Sequence, residues 1–215
     1  MVPYLITVLV CFIASLTNYL TKGGPLYLKV FPVLLLVVLV GEYIGYQQGF
    51  RHQTNVFLYN MISILEFTFY FFFYYSIYRV SLAKKIMLVL IPAYLAGALI
   101  NIFFIQGKNV FHTYTYMAAC LFVIMASIYY FLEMFRYPQT GSITRDPAFW
   151  ITSALFFYYT CVLPVFGISN YISSISRSMN QILGFIINLT NILLYSLFTL
   201  AFLCKLSIRK KYTSS

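Results

Sequence analysis

Within SILEFTFYFFFYY, residues 63–75, sits the side chain best placed to do chemistry: Glu66, one of only four acids in a 215-residue chain. A carboxylate near the middle of a bilayer costs at least ~3 kcal/mol. It is either a neutral acid held by hydrogen bonds, with Asn191 the expected partner, or it works on something cationic. A bound cation, a relayed proton or an amine-bearing ligand would each supply the missing charge. At ~100° per residue, Tyr59, Ser63, Glu66, Tyr70 and Tyr74 share one helix face, while Phe57, Met61, Ile64, Thr68 and Phe72 lie opposite. Glu66 therefore belongs to an ordered stripe, which is expected to look into a helical bundle.

Other segments carry similar stripes. Arg177, Asn180, Gln181, Gly184, Asn188, Asn191, Tyr195 and Thr199 fall on one side of the last apolar segment. Gly184 there is expected to admit a neighbour's backbone. His112, Thr115, Tyr116, Ala119, Ser127 and Tyr130 line one side of the fifth segment, and the fourth adds Tyr94, Gly97 and Asn101. By position, Glu66, Asn188 and Asn191 fall near mid-membrane; Glu42, Asn101 and His112 fall in the outer third. A pocket that opens outward and narrows towards Glu66 accounts for this gradient. The candidate ligand- or ion-binding residues are accordingly Glu66, Asn191, Asn188, Tyr70, Asn101, His112 and Glu42. For each Asn and Tyr the competing role is interhelical hydrogen bonding, worth ~0.6–2 kcal/mol. Glu42 competes with a snorkelling role, and Glu133 is expected to pair with Arg136 at i,i+3 on the surface.

The elements that must position these groups follow from composition. Apolar residues make up 62% of the chain and charged residues 8%, far below the ~25% charge of soluble domains. Seven apolar runs are long enough to cross a bilayer, which takes ~20 residues: about 2–20, 26–46, 55–78, 86–106, 110–135, 148–168 and 179–204. The expected fold is all-α, a polytopic seven-helix transmembrane domain over residues 1–206 with a short basic tail, 207–215. The first run is expected to be a mature helix and not a signal peptide, because no Lys or Arg precedes Lys22 and no small-residue cleavage site follows. Asp146 before Pro147 reads as a helix N-cap.

Charge sets the expected orientation. Lys22, Lys29, Arg79, Lys84, Lys85, Arg136, Arg145, Lys205, Arg209, Lys210 and Lys211 fall on one side, against Arg51, Lys108 and Arg177 on the other. The positive-inside rule then places the amino terminus outside and the carboxyl terminus in the cytoplasm. The net charge of +10 is thereby explained by anionic inner-leaflet lipid, and no nucleic-acid partner is expected.

Catalytic chemistry finds little to work with. Four acids and two histidines assemble no H-E-x-x-H and no aspartate pair, there is no glycine-rich phosphate loop, and no Ser or Tyr has a base at a useful spacing. Cys11, Cys120, Cys161 and Cys204 lack paired spacing, so neither a metal site nor a cofactor is expected. A retinal lysine of the microbial-rhodopsin type is missing from mid-helix, since Lys205 lies at the end of the last run. Pro138-Gln139 falls in the wrong loop for the PQ-loop sugar transporters. The segments LYNMISILEFTFY, FHTYTYMAACLFVI, DPAFWITSALFFYY and NILLYSLFTLAFLCK resemble recurring segments of a group of bacterial seven-helix integral membrane proteins with no established activity. That resemblance implies the architecture and a bacterial inner-membrane location. The expected function is non-enzymatic: a sensor or receptor subunit with an outward pocket, signalling through a separate cytoplasmic or membrane partner. A small secondary transporter using Glu66 as a proton or cation site is the alternative, and a structural subunit of a membrane complex a further one.

Overall fold

The computed structural model describes residues 2–19, 24–50, 54–137, 142–171 and 177–213. The expectations for Lys22, Arg51 and Pro138-Gln139, and for the side chains of Arg177, Asn180 and the residues from Lys205 onward, lie outside the described residues. Among the described residues seven α-helices follow one another: α1 (Val2–Leu16), α2 (Leu26–Phe50), α3 (Val56–Ile77), α4 (Ser81–Ile100), α5 (Thr113–Arg136), α6 (Pro147–Tyr171) and α7 (Arg177–Thr213). Six are long and apolar enough to cross a membrane, which makes this a multi-pass helical membrane protein. The first helix is shorter than its apolar run. Its 15 residues reach about 22 Å at ~1.5 Å per residue. Ser15 and Thr17 turn their hydroxyls back onto the carbonyls of Phe12 and Ala14 at 2.6 Å each, and i→i+3 backbone bonds close the turn after Leu16. Local hydroxyl bonding of this kind competes with continued helix.

Each helix packs on the next and α7 returns to α1, so the bundle closes in chain order. Helix α3 also packs on α5, which draws it towards the centre. Phe67, Phe69, Tyr70, Phe71, Phe73 and Tyr74 are all buried, so from Phe67 onward α3 is enclosed on nearly every side. This aromatic run is the middle of the protein. Phe31 on α2 ties α3 to α7, with ring centroids 4.9 Å from Phe69, 5.0 Å from Phe198 and 5.2 Å from Phe202. Helices α2, α4 and α6 continue through Pro32, Pro92 and Pro164.

Two helix ends matter for the site. Helix α4 runs into a π-turn, Asn101–Ile105, closed by Gln106 N–H on the Asn101 carbonyl at 2.8 Å. Gly107 follows at φ +89, a conformation open to glycine and strained for other residues. At the opposite end, Asp146 caps α6 as expected, its Oδ1 accepting from Ala148 N–H at 2.9 Å.

Glu133 departs from its expected surface pairing with Arg136. It is buried, and its Oε1 accepts the backbone N–H groups of Arg79 and Val80 at 2.9 and 2.8 Å. It thus caps the start of α4 from another helix, where Val80 has no side chain able to do so. The positive end of the α4 dipole favours a carboxylate there, and a surface arginine has no comparable claim. Glu133→Ala is expected to destabilise the detergent-solubilised protein by about 1–3 kcal/mol, with Glu133→Gln recovering part of the loss. Equal thermal midpoints for Glu133→Ala and the parent would contradict the capping role.

Candidate functional site

A cavity of about 260 Å³ lies inside the bundle, entered from the end where α1, α3, α5 and α7 begin. It runs along α3 from the level of Asn55 to Tyr70, roughly 22 Å at ~1.5 Å per residue. Its floor is the aromatic layer of α3. Its acids are Glu42 and Glu66, and among the described residues no Lys or Arg lines it.

Helix α3 supplies one wall through Tyr59, Ser63, Glu66 and Tyr70, at i, i+4, i+7 and i+11 on the face read from sequence. Glu66 keeps accessible surface because it borders the cavity. Helix α2 supplies Glu42, whose two oxygens accept from Tyr4 Oη at 3.2 Å and Tyr59 Oη at 3.3 Å. Glu42 therefore does not snorkel. Two glycines bring α2 against α3 here: a β-carbon on Gly45 would meet Tyr59 Oη at 2.5 Å, and one on Gly41 would meet the Ile62 side chain. The spacing G-x-x-x-G that brackets Glu42 is a close-packing pattern in membrane helices.

Helix α7 brings Asn191 and Tyr195 to the same cavity, so the third and seventh segments share it. The α7 stripe nevertheless divides. Gln181 and Asn188 are exposed and do not line the cavity. Among the described residues nothing lies within 4 Å of a β-carbon position on Gly184, so no described neighbour's backbone approaches it. Packing decides this rotation: Leu183, Thr190, Leu194, Phe198 and Phe202 form the buried face of α7, and the Phe31 contacts fix it.

Asn101 and His112 were expected in the pocket and instead hold the connection between α4 and α5. The fifth helix begins at Thr113, leaving His112 in the connecting segment as its fully buried N-cap residue. Asn60 donates to the Val110 carbonyl at 3.0 Å and accepts His112 N–H at 3.1 Å. Asn101 donates to Gln106 Oε1 at 2.7 Å and to Thr115 Oγ1 at 3.2 Å. His112 reaches Ser63 Oγ through Nε2 and Thr115 Oγ1 through Nδ1, both at 2.7 Å. Ser63 spends its own proton on the carbonyls of Tyr59 and Asn60. Both ring nitrogens are thus engaged, and His112 touches the cavity only through Ser63.

Burial pushes the His112 imidazole down to about 4 from its usual 6.5. The unfolded chain therefore binds a proton at pH values where the folded chain does not. This contribution to stability is complete above about pH 6.5 and is lost as pH falls towards about 4. A shift of this size corresponds to roughly 3 kcal/mol. His112→Gln is expected to flatten the fall in thermal midpoint between about pH 7 and about pH 4.5, measured in detergent against the parent. Parallel pH profiles would refute the assignment.

Sequence reasoning overlooked the wall opposite Glu66. Tyr158 and Tyr159 on α6 both line the cavity, as do Tyr4 on α1 and Phe166 on α6. A signal was present, since tyrosines favour the membrane–water interface or a hydrogen-bonding partner, and a Tyr-Tyr pair in mid-span therefore points inward. Among the described residues, no three of His, Cys, Asp and Glu gather as a metal site. Comparison of the chain with protein-family models, curated proteins and solved structures finds no match.

Proposed function

We propose that this protein is a non-enzymatic component of the bacterial cytoplasmic membrane that binds a small ligand from outside, as a sensor or receptor subunit signalling through a separate partner. The observation that carries this reading is the one-ended cavity. It descends from the amino-terminal end of the bundle past two acids and a tyrosine wall to the level of Tyr70 on α3, where the residues that follow, Phe71, Phe73 and Tyr74, are fully buried. With the amino terminus outside, as the Lys and Arg distribution favours, that end faces the exterior. A pocket closed towards the cytoplasm suits a ligand that binds and leaves by the same route.

A small secondary transporter, with Glu66 as its proton or cation site, is favoured by one further feature. A second cavity of about 210 Å³, lined by Tyr27, Ser76, Tyr130, Glu133 and Asp146, lies towards the opposite end. Only the stretch from Tyr70 to Ser76 separates the two along α3, about 9 Å at ~1.5 Å per residue. Alternating access would require that layer to part.

Thiol labelling tests the reading in a background with the four native cysteines replaced. In right-side-out vesicles, a membrane-impermeant reagent is expected to modify Asn55→Cys and Asn191→Cys at once, and Ser142→Cys only after permeabilisation. External modification of Ser142→Cys would reverse the orientation; protection of Asn191→Cys would remove the outward pocket. Proteoliposomes loaded with a pH-sensitive dye separate the two functions. A receptor leaves an imposed pH gradient intact, and a proton-coupled transporter dissipates it when its substrate is added.

A further inference from the structure

We propose that the cavity selects a small organic ammonium ion, held between the Glu42 and Glu66 carboxylates and a wall of tyrosine rings. This rests on the pocket reading above and specifies the ligand's chemistry.

Charge gives the first argument. Two carboxylates share one cavity, and among the described residues no cationic side chain enters it. Glu42 is turned towards the cavity by the hydroxyls of Tyr4 and Tyr59. These neutral donors orient the carboxylate and leave its charge uncompensated. Anions and neutral polar ligands would leave an ionised carboxylate of this cavity without a counter-charge, which is costly. A monocation supplies that counter-charge, one cation for one carboxylate, with the other acid keeping its proton.

The wall gives the second argument, and it separates an organic cation from a metal ion. Beyond the acids, the lining is dominated by aromatic rings, among them Tyr116, Tyr158, Tyr159 and Tyr195. The rings are held by one another: Phe67 lies 5.1 Å from Tyr159 and 5.2 Å from Tyr116, and Tyr4 lies 5.8 Å from Tyr195. A hard metal ion wants six or more oxygen ligands close by, whereas ring faces attract alkylammonium groups through their quadrupoles. Size gives the third. About 260 Å³ is the share of roughly eight or nine waters at ~30 Å³ each, room for a ligand with about as many non-hydrogen atoms.

Calorimetry on the full-length protein in lipid nanodiscs tests this with three probes of one shape: benzylammonium, benzyl alcohol and benzoate. Benzylammonium is expected to bind saturably near one per chain, at least tenfold tighter than the alcohol, with no heat from benzoate. Glu66→Gln and Glu42→Gln should each weaken it at least tenfold. Tyr158→Phe, which keeps the ring, should stay within about threefold of the parent, while Tyr158→Leu should lose at least fivefold. Asn188→Ala, outside the cavity, should bind like the parent. Equal affinity for ammonium and alcohol, or parental affinity in a Glu66→Gln protein with parental thermal midpoint, would overturn the proposal. So would the absence of saturable benzylammonium binding to folded protein. Where Asn191→Cys is still labelled from outside, such results leave the pocket standing and remove only its cation selectivity.

Discussion

Replacing Glu66 with leucine is expected to raise the thermal midpoint of the protein and abolish the function of its pocket. A carboxylate at that depth costs at least ~3 kcal/mol against an apolar residue, and leucine would fit a wall already formed by Ile62, Leu194 and Val38. The expected gain is about 1–3 kcal/mol, the trade between stability and activity common at functional sites. Glu66→Gln sharpens the test, because it keeps the shape and most of the hydrogen-bonding capacity. The Gln protein is expected to express and melt like the parent while ligand binding or transport collapses. A Glu66→Gln protein that works like the parent from about pH 5 to about pH 8 would assign Glu66 to structure alone. A Glu66→Leu protein less stable than the parent would show that the carboxylate contributes to holding the bundle.

The second large effect concerns Phe67, one residue further along α3 and fully buried. Its ring meets Tyr94 of α4 at 5.7 Å, Tyr116 of α5 at 5.2 Å and Tyr159 of α6 at 5.1 Å, so four helices meet on one side chain. In water-soluble cores Phe→Ala costs ~3–5 kcal/mol. In a bilayer the separated helix already sits in hydrocarbon, and the transfer part of that cost disappears. The void and the lost ring pairs, ~0.5–1.5 kcal/mol each, remain. Phe67→Ala is therefore expected to destabilise by about 2–4 kcal/mol in a reversible denaturation assay in mixed micelles. Phe104→Ala, at a ring 83% exposed, should change stability by less than about 0.5 kcal/mol. Similar losses at the two positions would mean that α3 is not the centre of the bundle.

Sequence alone determined the all-α class, the approximate positions of seven helices, of which six rather than the expected seven are long enough to cross a membrane, the Asp146 cap and the shared face of Tyr59, Ser63, Glu66 and Tyr70 on α3. Those features are local: they depend on run length, on side-chain period and on residues within a turn of each other. Tertiary structure decided which face of each helix turns inward. A period in α7 groups Asn188 with Asn191, but the rotation of the helix about its axis is set by Phe31 packing on Phe198 and Phe202, which leaves Asn188 outside. It also decided partners distant in the chain. Glu133 reaches backbone groups more than fifty residues away, and its near neighbour Arg136 has no part in that. Asn101 and His112 lost their expected place because α4 ends and α5 begins at these residues, where their side chains bond Gln106, Thr115 and Ser63. The Tyr158–Tyr159 wall became visible only when α6 was laid against α3, since no periodicity within one helix reports what stands across a cavity.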